Sequence, residues 1–193
     1  MIRIFDIFFS LIGLVFGLPV LLVIWTLGVF DTGSPIFRQE RVGRNMKSFS
    51  LFKFRTMRPS TSIGDLHSSS RVTPLGRILR SLSLDELPQL FNIFKGDMSF
   101  VGPRPLLPEY IPLYSPHQFQ RHSVRPGLTG LSQISGRNLL SWRKRFEIDV
   151  LYVHQVNFFV DLIILLKTFS VVFSRTSTVA SDSVIMTPFN GDN

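Results

Sequence analysis

The segment from Ile7 to Phe30 carries no charged side chain, and it constrains the fold of this chain more than any other feature. Its roughly 24 residues would span about 36 Å as a helix, which is long enough to cross a bilayer. Asp6 and Asp31 bound the segment. The apolar run is too long for a cleavable signal peptide, and no small-residue cleavage site follows it. The remaining residues suffice for one domain with a modest core.

The residues of the apolar segment leave two membrane topologies open. One is a plain transmembrane helix. The other is a helix broken at Gly17-Leu18-Pro19, which enters one leaflet and returns, because Pro19 lacks a backbone donor. Proline is nevertheless tolerated in spanning helices. Basic residues flank the segment on both sides, with Arg3 before it and Arg38, Arg41, Arg44 and Lys47 after it. Positive charge favours the cytoplasm for both ends, and a single crossing cannot satisfy that preference.

The charge and composition of the chain restrict the kinds of partner it can have. The net charge is +8, which is typical of proteins that bind nucleic acid, anionic lipid or phosphorylated small molecules. The 19 Phe residues exceed what a small core needs and indicate surface buried in lipid. There is no Cys, which excludes a disulfide scaffold and thiolate chemistry.

Beyond the apolar segment, the pattern predicts a mainly α-helical fold with a small β-hairpin, in the α+β class. Two aromatic-rich stretches, 35–42 and 48–57, flank turn residues and predict the hairpin. Thr73-Pro74 is typical of a capped helix start, and Gly96 of a helix end. We expect helices at 74–82, 85–95, 139–152 and 157–173, the last of which is either a core helix or an interfacial amphipathic helix. The residues of 59–70, 102–105 and 124–130 are typical of loops.

The acidic pair Asp85-Glu86 has both a structural and a chemical interpretation. Ser83-x-x-Glu86 matches a capping box, and acidic residues favour a first helical turn. Pro88 complicates this interpretation, because a helix capped by Ser83 would bring Pro88 against the carbonyl of Leu84. A helix start at Leu84 or Asp85 avoids the clash. Asp85 would then lie at the mouth of the helix, where free backbone N–H groups keep a carboxylate ionised for nucleophilic attack or metal binding.

Several basic residues lie near predicted turns and helix ends, and a solvated or lipid-facing surface is the simplest explanation for any one of them. Arg80 precedes Asp85 by five residues across a short turn. Arg104 lies between two prolines that fix its backbone, which suits phosphate recognition. Lys53 and Arg137 are weaker candidates. The chain lacks the glycine-rich and nucleophile-elbow motifs of ATP-dependent, dinucleotide-binding and α/β-hydrolase proteins.

Longer motifs carry a resemblance to a known family. The run from Arg80 to Asn92, the run from Lys95 to Leu107 and the shorter motifs resemble the bacterial sugar transferase family, the monotopic phosphoglycosyl transferases, and its small members in particular. The shorter motifs are Lys53-Phe-Arg-Thr-Met57, Arg125-Pro-Gly-Leu-Thr-Gly130, Gly136-Arg-Asn138 and Phe189-Asn-Gly-Asp-Asn193. The resemblance extends over nearly the whole chain.

The resemblance implies a reaction and a role for each site residue. Such enzymes move a sugar 1-phosphate from a UDP-sugar to undecaprenyl phosphate, release UMP and use Mg²⁺. Asp85 would be the nucleophile that forms a covalent phosphosugar intermediate and would also bind the metal, and Glu86 would assist by positioning or proton transfer. The substrate-binding residues would be Arg80 and Arg104, with Lys53 and Arg137 as weaker candidates. Asp161 would be a supporting partner, for example to an arginine.

The resemblance also implies a cellular setting. Residues 1–33 would form a re-entrant membrane helix broken at Pro19, and residues 34–193 a catalytic domain on the cytoplasmic face of the bacterial inner membrane. The reaction would be the first membrane step in assembling an O-antigen, capsule, exopolysaccharide or glycoprotein glycan, without nucleic acid as a partner. One departure is Leu18, where the small members carry Ser before the proline. The sequence leaves the sugar and a homo-oligomeric state open.

The main alternative is a single-pass membrane protein whose basic domain binds nucleic acid or anionic lipid. That alternative accounts for the net charge and the apolar segment. It gives no reason for an Asp-Glu pair close in sequence to Arg80 and to a rigid Pro-Arg-Pro segment. A multi-pass lipid-phosphate transferase is disfavoured, because the chain has one long apolar run and one interrupted run.

Overall fold

The structure, a computed structural model, describes residues 1–59, 71–136, 139–173, 187–191 and 193. Its helices are α1 (Ile2–Thr32), α2 (Pro74–Ser81), α3 (Gln89–Lys95), α4 (Pro116–Phe119), α5 (Leu131–Ile134), α6 (Trp142–Gln155) and α7 (Phe158–Phe173). Its strands are β1 (Ile36–Val42), β2 (Ser48–Phe54), β3 (Ser99–Val101) and β4 (Gly127–Thr129). The predicted class, mainly α-helical with a small β part, is confirmed. The predicted loop at 59–70 lies almost entirely outside the described residues.

Helix α1 is long, apolar and mostly uncovered. Within the described chain, it is the one helix whose length and composition would let it cross a membrane. Only 11% of its most apolar stretch is buried, which distinguishes it from a core helix of a soluble protein. The helix continues through Pro19 without interruption. Pro19 therefore does not end the helix, because proline removes a single backbone donor and the apolar residues on both sides remain helical. A bend at Pro19 that returns the helix to the same membrane face stays a prediction.

One side of α1 packs against the rest of the chain from end to end. Near its start, Asp6 is fully buried and accepts hydrogen bonds from Ser99 Oγ and the Phe100 N–H, each at 3.1 Å. Near its end, Asp31 accepts a 2.6 Å hydrogen bond from Thr73 Oγ1. Between them, Leu14, Leu21 and Ile24 join two apolar clusters of the core. Helix α1 is therefore both an apolar surface and part of the core.

Strands β1 and β2 form the predicted hairpin, with Val42 opposite Ser48 and Ile36 opposite Phe54. The turn residues Asn45 and Met46 both have positive φ, of 54° and 62°. This pair of angles is typical of the tight type I′ hairpin turn, which matches the twist of the strands. Asn is favoured in this conformation, but Met is not. The hairpin brings Lys53, near the end of β2, toward the middle of the domain.

The segment between α2 and α3 differs from the prediction. Thr73 caps α2 as expected, because its hydroxyl accepts a hydrogen bond from the Gly76 N–H. The second helix does not begin at Asp85: a 3₁₀ turn covers Leu84–Glu86, and α3 starts at Gln89. Pro88 is the N-cap residue of α3, where its ring causes no clash. Gly96, with φ of 100°, ends α3 as predicted.

Strands β3 and β4 form a short parallel pair that the sequence does not predict, and β4 lies within the predicted loop 124–130. Ser99 pairs with Gly127, and Val101 pairs with Thr129. The strands have three residues each, too few to give an alternating pattern that sequence analysis could detect. Helix α7 begins at Phe158, close to the predicted start, and Ile164 on its inner side joins the core cluster of Val101 and Tyr152.

The outer side of α7 is apolar and exposed, as is most of α1. The exposed large residues of α7 are Phe159, Leu162, Ile163, Leu166 and Phe169. Two shorter helices also expose large apolar side chains, which are Ile78 on α2 and Phe91 and Phe94 on α3. Apolar exposure on this scale is typical of a surface that contacts lipid or another protein.

Candidate active site

Glu86 lies at the centre of a compact cluster of charges. Its Oε1 atom accepts a 2.6 Å hydrogen bond from Lys53 Nζ and a 3.2 Å hydrogen bond from Arg104 Nη2. The side chains of Glu86 and Lys53 are about one-fifth exposed, at 20% and 21%. Two cations that share one oxygen of a mostly buried carboxylate form a fixed arrangement with a net positive charge.

The two cations come from distant parts of the chain. Lys53 is carried by β2, where it pairs in register with Phe37. Arg104 lies between Pro103 and Pro105, whose rings limit the backbone to a few conformations. The buried Arg121 donates a 2.7 Å hydrogen bond to the Arg104 carbonyl and fixes this segment further.

The pKa of Glu86 reflects this environment. Burial alone would raise it, but Arg104 and Lys53 outweigh burial and lower the pKa of Glu86 to about 2. Glu86 is therefore ionised at any physiological pH and carries no proton to donate. Of the two roles that the resemblance implies for it, positioning fits the site better than proton transfer.

Asp85 experiences the opposite balance. Burial raises the pKa of its carboxyl, and the neighbouring charge of Glu86 raises it further. Lys53, Arg80 and Arg104 oppose the shift. Among the residues that the structure describes, the Asp85 carboxylate accepts no hydrogen bond. The expectation that free helix N–H groups hold it ionised is wrong, because a 3₁₀ turn precedes α3. The nearby cations supply that favourable charge instead.

The capping-box interpretation of the acidic pair is also excluded. Ser83 has a left-handed backbone with φ of 55°, and its side chain makes no capping hydrogen bond. The Glu86 N–H donates to the Ser83 carbonyl instead, at 3.3 Å. A left-handed conformation at a residue other than glycine is uncommon and costs on the order of 1 kcal/mol. Such strain clusters at functional sites, which agrees with its place beside the acidic pair.

Arg80 joins the site from the last turn of α2. Its Nε donates a 2.9 Å hydrogen bond to Thr56 Oγ1, which restricts the position of the guanidinium. Its charge acts on the Asp85 carboxyl, as noted above. The structure therefore brings together Lys53, Arg80, Asp85, Glu86 and Arg104, five of the residues that the sequence predicts for the site.

Further charged residues behind Arg104 were not predicted. Arg121 and Asp149 form a fully buried ion pair at 2.9 Å, and Ser132 Oγ donates to the same aspartate. Arg41 and Arg145 approach Arg104: burial and the charge of Arg104 lower the pKa of Arg41 to about 10 and also lower the pKa of Arg145. One signal was available in the sequence. Arg145 and Asp149 fall on the helix face that carries Trp142 and Phe146, where charge is unusual.

The sequence of the chain also matches the profile of a known family. The profile of the bacterial sugar transferase family matches residues 1–175. The chain belongs to the bacterial sugar transferase family.

Members of this family from several bacteria are similar to the chain. An uncharacterized sugar transferase, EpsL of Bacillus subtilis, is 47% identical over 88% of this chain and 87% of its own length. The exopolysaccharide production protein ExoY of Rhizobium meliloti is 40% identical over 91% of this chain and 87% of its own length. The undecaprenyl-phosphate galactose phosphotransferase of Salmonella typhimurium is 37% identical over 90% of this chain, which covers 40% of that longer protein.

The remaining predicted residues lie elsewhere. Arg137 is outside the described residues. Asp161 is buried on α7 and accepts a 2.7 Å hydrogen bond from Tyr152 Oη rather than from an arginine. The expected arginine is not its hydrogen-bond partner among the described residues: the partner is Tyr152, whose hydroxyl also donates to the Val101 carbonyl at 3.3 Å. Asp161 belongs to the core that supports β3, and it makes no contact with the acidic pair among the described residues.

The oxygen donors of the site fit a magnesium ion that is bound jointly by protein carboxylates and substrate phosphates. Among the described residues there is no cluster of three or more His, Cys, Asp and Glu side chains that would form an all-protein metal site. Mg²⁺ is commonly bound by one or two carboxylates together with substrate phosphates. Asp85 offers a carboxylate without hydrogen bonds to described residues, and both contacts of Glu86 are made by Oε1. The two residues can therefore hold a magnesium ion that a phosphorylated substrate shares.

Proposed function

We propose that this chain transfers a sugar 1-phosphate from a UDP-sugar to undecaprenyl phosphate with release of UMP, as a step in polysaccharide assembly. The observation that carries the proposal is the Asp85 carboxylate, which lies unbonded to described residues beside three cations. The names of several relatives support these substrates. One is the UDP-glucose:undecaprenyl-phosphate glucose-1-phosphate transferase of Klebsiella pneumoniae, which is 40% identical over 86% of this chain.

In the first step, a carboxylate oxygen of Asp85 attacks the β-phosphorus of the UDP-sugar. A bond forms between that oxygen and phosphorus, the bond from phosphorus to the bridging oxygen breaks, and UMP leaves with the bond electrons. Asp85 attacks as the ionised carboxylate, and the charges of Lys53, Arg80 and Arg104 favour that form. In the second step, a phosphate oxygen of undecaprenyl phosphate attacks the same phosphorus and releases the Asp85 carboxylate.

The other residues stabilise charge that develops on the phosphates. Arg104 and Arg80 would bind phosphate oxygens, and Arg137 remains a candidate from sequence for the same role. Glu86 holds Lys53 and Arg104 in fixed positions, so little reorganisation accompanies the reaction. Asp85 and Glu86 would hold Mg²⁺, which when bound neutralises part of the pyrophosphate charge.

The apolar surface near the site supports a lipid acceptor. Ile78 and Leu82, exposed by 57% and 56%, lie on the stretch of chain that leads directly into Ser83 and Asp85. A polyprenyl chain would pack on these side chains while its phosphate reaches Asp85 from the membrane side. The exposed sides of α1 and α7 would lie in the same membrane.

We further propose that α1 enters the membrane and returns to the cytoplasmic face of the inner membrane. Both of its ends, through Asp6 and Asp31, are hydrogen-bonded to the same domain. A helix of 31 residues is about 46 Å long, so a perpendicular crossing would carry one end of these contacts to the far side of the bilayer. A single face for both ends agrees with the basic residues on both flanks.

The reaction is tested by incubating the purified protein with UDP-sugars and Mg²⁺ but without lipid acceptor. Intact-mass measurement is expected to detect a phosphosugar adduct on the wild type and none on Asp85→Asn, with UMP released in proportion. A screen across UDP-sugars then identifies the donor. Absence of an adduct with every donor, together with substantial turnover by Asp85→Asn when undecaprenyl phosphate is supplied, would contradict the covalent mechanism.

The topology is tested with single cysteines, since the natural chain has none. Ile4→Cys and Lys47→Cys place one probe before the apolar segment and one after it, both at exposed positions. Membrane-impermeant labelling of inverted inner-membrane vesicles is expected to reach both. Labelling from opposite sides would mean a spanning helix.

A further inference from the structure

A second basic site lies at the turn of the hairpin, away from the acidic pair. A cavity of about 350 Å³ opens there between the turn residues, the loop after α3 and the segment before β4. Three cations line it: Arg44 and Lys47 from the hairpin turn, and Arg125 from the segment before β4. Lys53 lies five residues beyond Ser48 along β2, or about 17 Å away at the rise of a strand. The cavity is therefore distinct from the candidate active site.

Specific contacts hold the walls of the cavity in place. Arg44 Nε donates a 3.0 Å hydrogen bond to the Ser123 carbonyl, and Arg125 Nε donates a 2.9 Å hydrogen bond to the Gly96 carbonyl. Both guanidinium groups keep other N–H groups for a ligand, since Arg has five donors. The left-handed pair Asn45-Met46 fixes the turn that carries Arg44 and Lys47.

The charge inside the cavity is positive. Asp97 is its acidic residue, and it is already engaged by Lys95 Nζ at 3.2 Å and by the Asn92 amide at 3.3 Å. Burial lowers the pKa of Arg125, and the nearby charges of Arg3 and Arg44 lower it further. Cations held close enough to repel one another gain from an anion placed between them, and a phosphate group suits the forked geometry of arginine.

The position of the cavity indicates which kind of molecule would supply a phosphate group to it. Arg3, at the start of α1, donates to the Ile93 and Phe94 carbonyls at the end of α3, beside the cavity loop. Exposed apolar residues surround this end of the molecule, among them Met1, Ile4 and Phe94. If α1 lies in the membrane as proposed above, this end of the domain is at the level of the lipid headgroups.

We propose that the cavity lined by Arg44, Lys47 and Arg125 binds the phosphate of an anionic phospholipid headgroup. This inference rests on the membrane placement in the proposed function but not on the chemistry of Asp85. The bound headgroup would fix the orientation of the domain on the membrane, since the cavity and the exposed helices contact the same bilayer. Electrostatic attraction to the surface adds to the apolar contacts of α1 and α7.

The test uses the full-length protein in detergent micelles doped with phosphatidylglycerol or phosphatidylcholine, with native mass spectrometry to count the lipid retained. The double variant Arg44→Gln/Lys47→Gln removes two cations from the cavity. Its matched control, Arg143→Gln/Lys144→Gln, removes two cations from the exposed side of α6. Two surface cations that contribute independently change affinity for an anionic lipid by about 30-fold.

We expect the wild type and the control to retain phosphatidylglycerol in preference to phosphatidylcholine, and the cavity variant to lose that preference. Thermal unfolding of both variants in the absence of lipid checks that each is folded, and UMP release with detergent-solubilised substrates is expected to stay within about twofold of the wild type. An Asp85→Asn protein should retain phosphatidylglycerol normally, which separates this proposal from the catalytic one.

Three outcomes would overturn the assignment. Equal loss of phosphatidylglycerol in the cavity variant and the control would mean that net surface charge, and not this cavity, attracts the lipid. Loss of UMP release in the folded cavity variant would mean that the cavity is part of the active site. Tm protection by inorganic phosphate that depends on Arg44 and Lys47, without a preference for phosphatidylglycerol, would assign the cavity to a soluble phosphate.

Discussion

Glu86 and Asp161 are both carboxylates that the sequence singles out, and the structure gives them opposite environments. Glu86 is partly exposed and accepts hydrogen bonds from two cations, which lower its pKa to about 2. Asp161 is buried on α7. Burial raises its pKa to about 6, because the hydrogen bond from Tyr152 only partly offsets the burial and the charge of Asp6. The difference shows that cationic partners, more than the residue type, set the direction in which the pKa of each carboxylate shifts.

Asp149 offers the strongest test of this distinction, because it is as buried as Asp161 and paired like Glu86. We expect Asp149→Asn to lower the free energy of unfolding by about 3–5 kcal/mol, since Arg121 would be left as a buried cation without its anion. Chemical denaturation in detergent, with Arg143→Gln as a control, measures the change. A loss below about 1 kcal/mol would mean that the pair matters little for stability.

Glu86→Gln tests the catalytic side of the comparison. We expect kcat for UMP release to fall by about 100-fold or more, because Lys53 and Arg104 would lose the anion that fixes them. The 100-fold change corresponds to about 2.7 kcal/mol of transition-state stabilisation. Asp161→Asn is the matched control and should keep kcat within about threefold. Activity of Glu86→Gln above a third of the wild-type value would contradict the role given to Glu86.

Asp161 and Glu86 are expected to change the stability of the fold in opposite directions as the pH rises. The raised pKa of Asp161 means that the folded state binds its proton more tightly, so stability falls as pH rises from about 4 to about 6. We expect Asp161→Asn, which mimics the protonated form, to be more stable than the wild type at pH 8 by about 1–3 kcal/mol. The difference should vanish near pH 4. Glu86, with its lowered pKa, acts in reverse: its contribution is present above about pH 4.5 and is lost toward pH 2.

The smallest effect on the free energy of unfolding is expected for an ion pair that is exposed to solvent. Arg143 and Glu147 lie one helical turn apart on α6 at 3.5 Å, with the arginine side chain 86% exposed. We expect Arg143→Gln to change the free energy of unfolding by at most about 0.5 kcal/mol, because water and salt screen such pairs. A larger loss in thermal or chemical unfolding would show that α6 depends on its surface charges.

What the sequence could predict was set largely by local chemistry. The hairpin, the Thr73 cap and the Gly96 stop each depend on a few neighbouring residues, and all three are confirmed. Pro88 also led, by a local argument, away from the capping box, although the helix starts later than expected. The Arg121–Asp149 ion pair and the pairing of β3 with β4 join residues about 28 positions apart, and no local sequence pattern predicts such contacts. The partner of Asp161 was mistaken for the same reason.

Helix α1 has a consequence for how the protein can be handled. Its inner face completes the core through Leu14, Leu21 and Ile24, while Asp31 binds the hydroxyl of Thr73 at the start of α2. Cutting the chain before Ile36 would therefore expose the residues that α1 covers, Leu79 and Leu90 among them, and would leave an aggregating fragment instead of a water-soluble enzyme. The segment that makes the protein hard to dissolve is the same segment that allows it to fold.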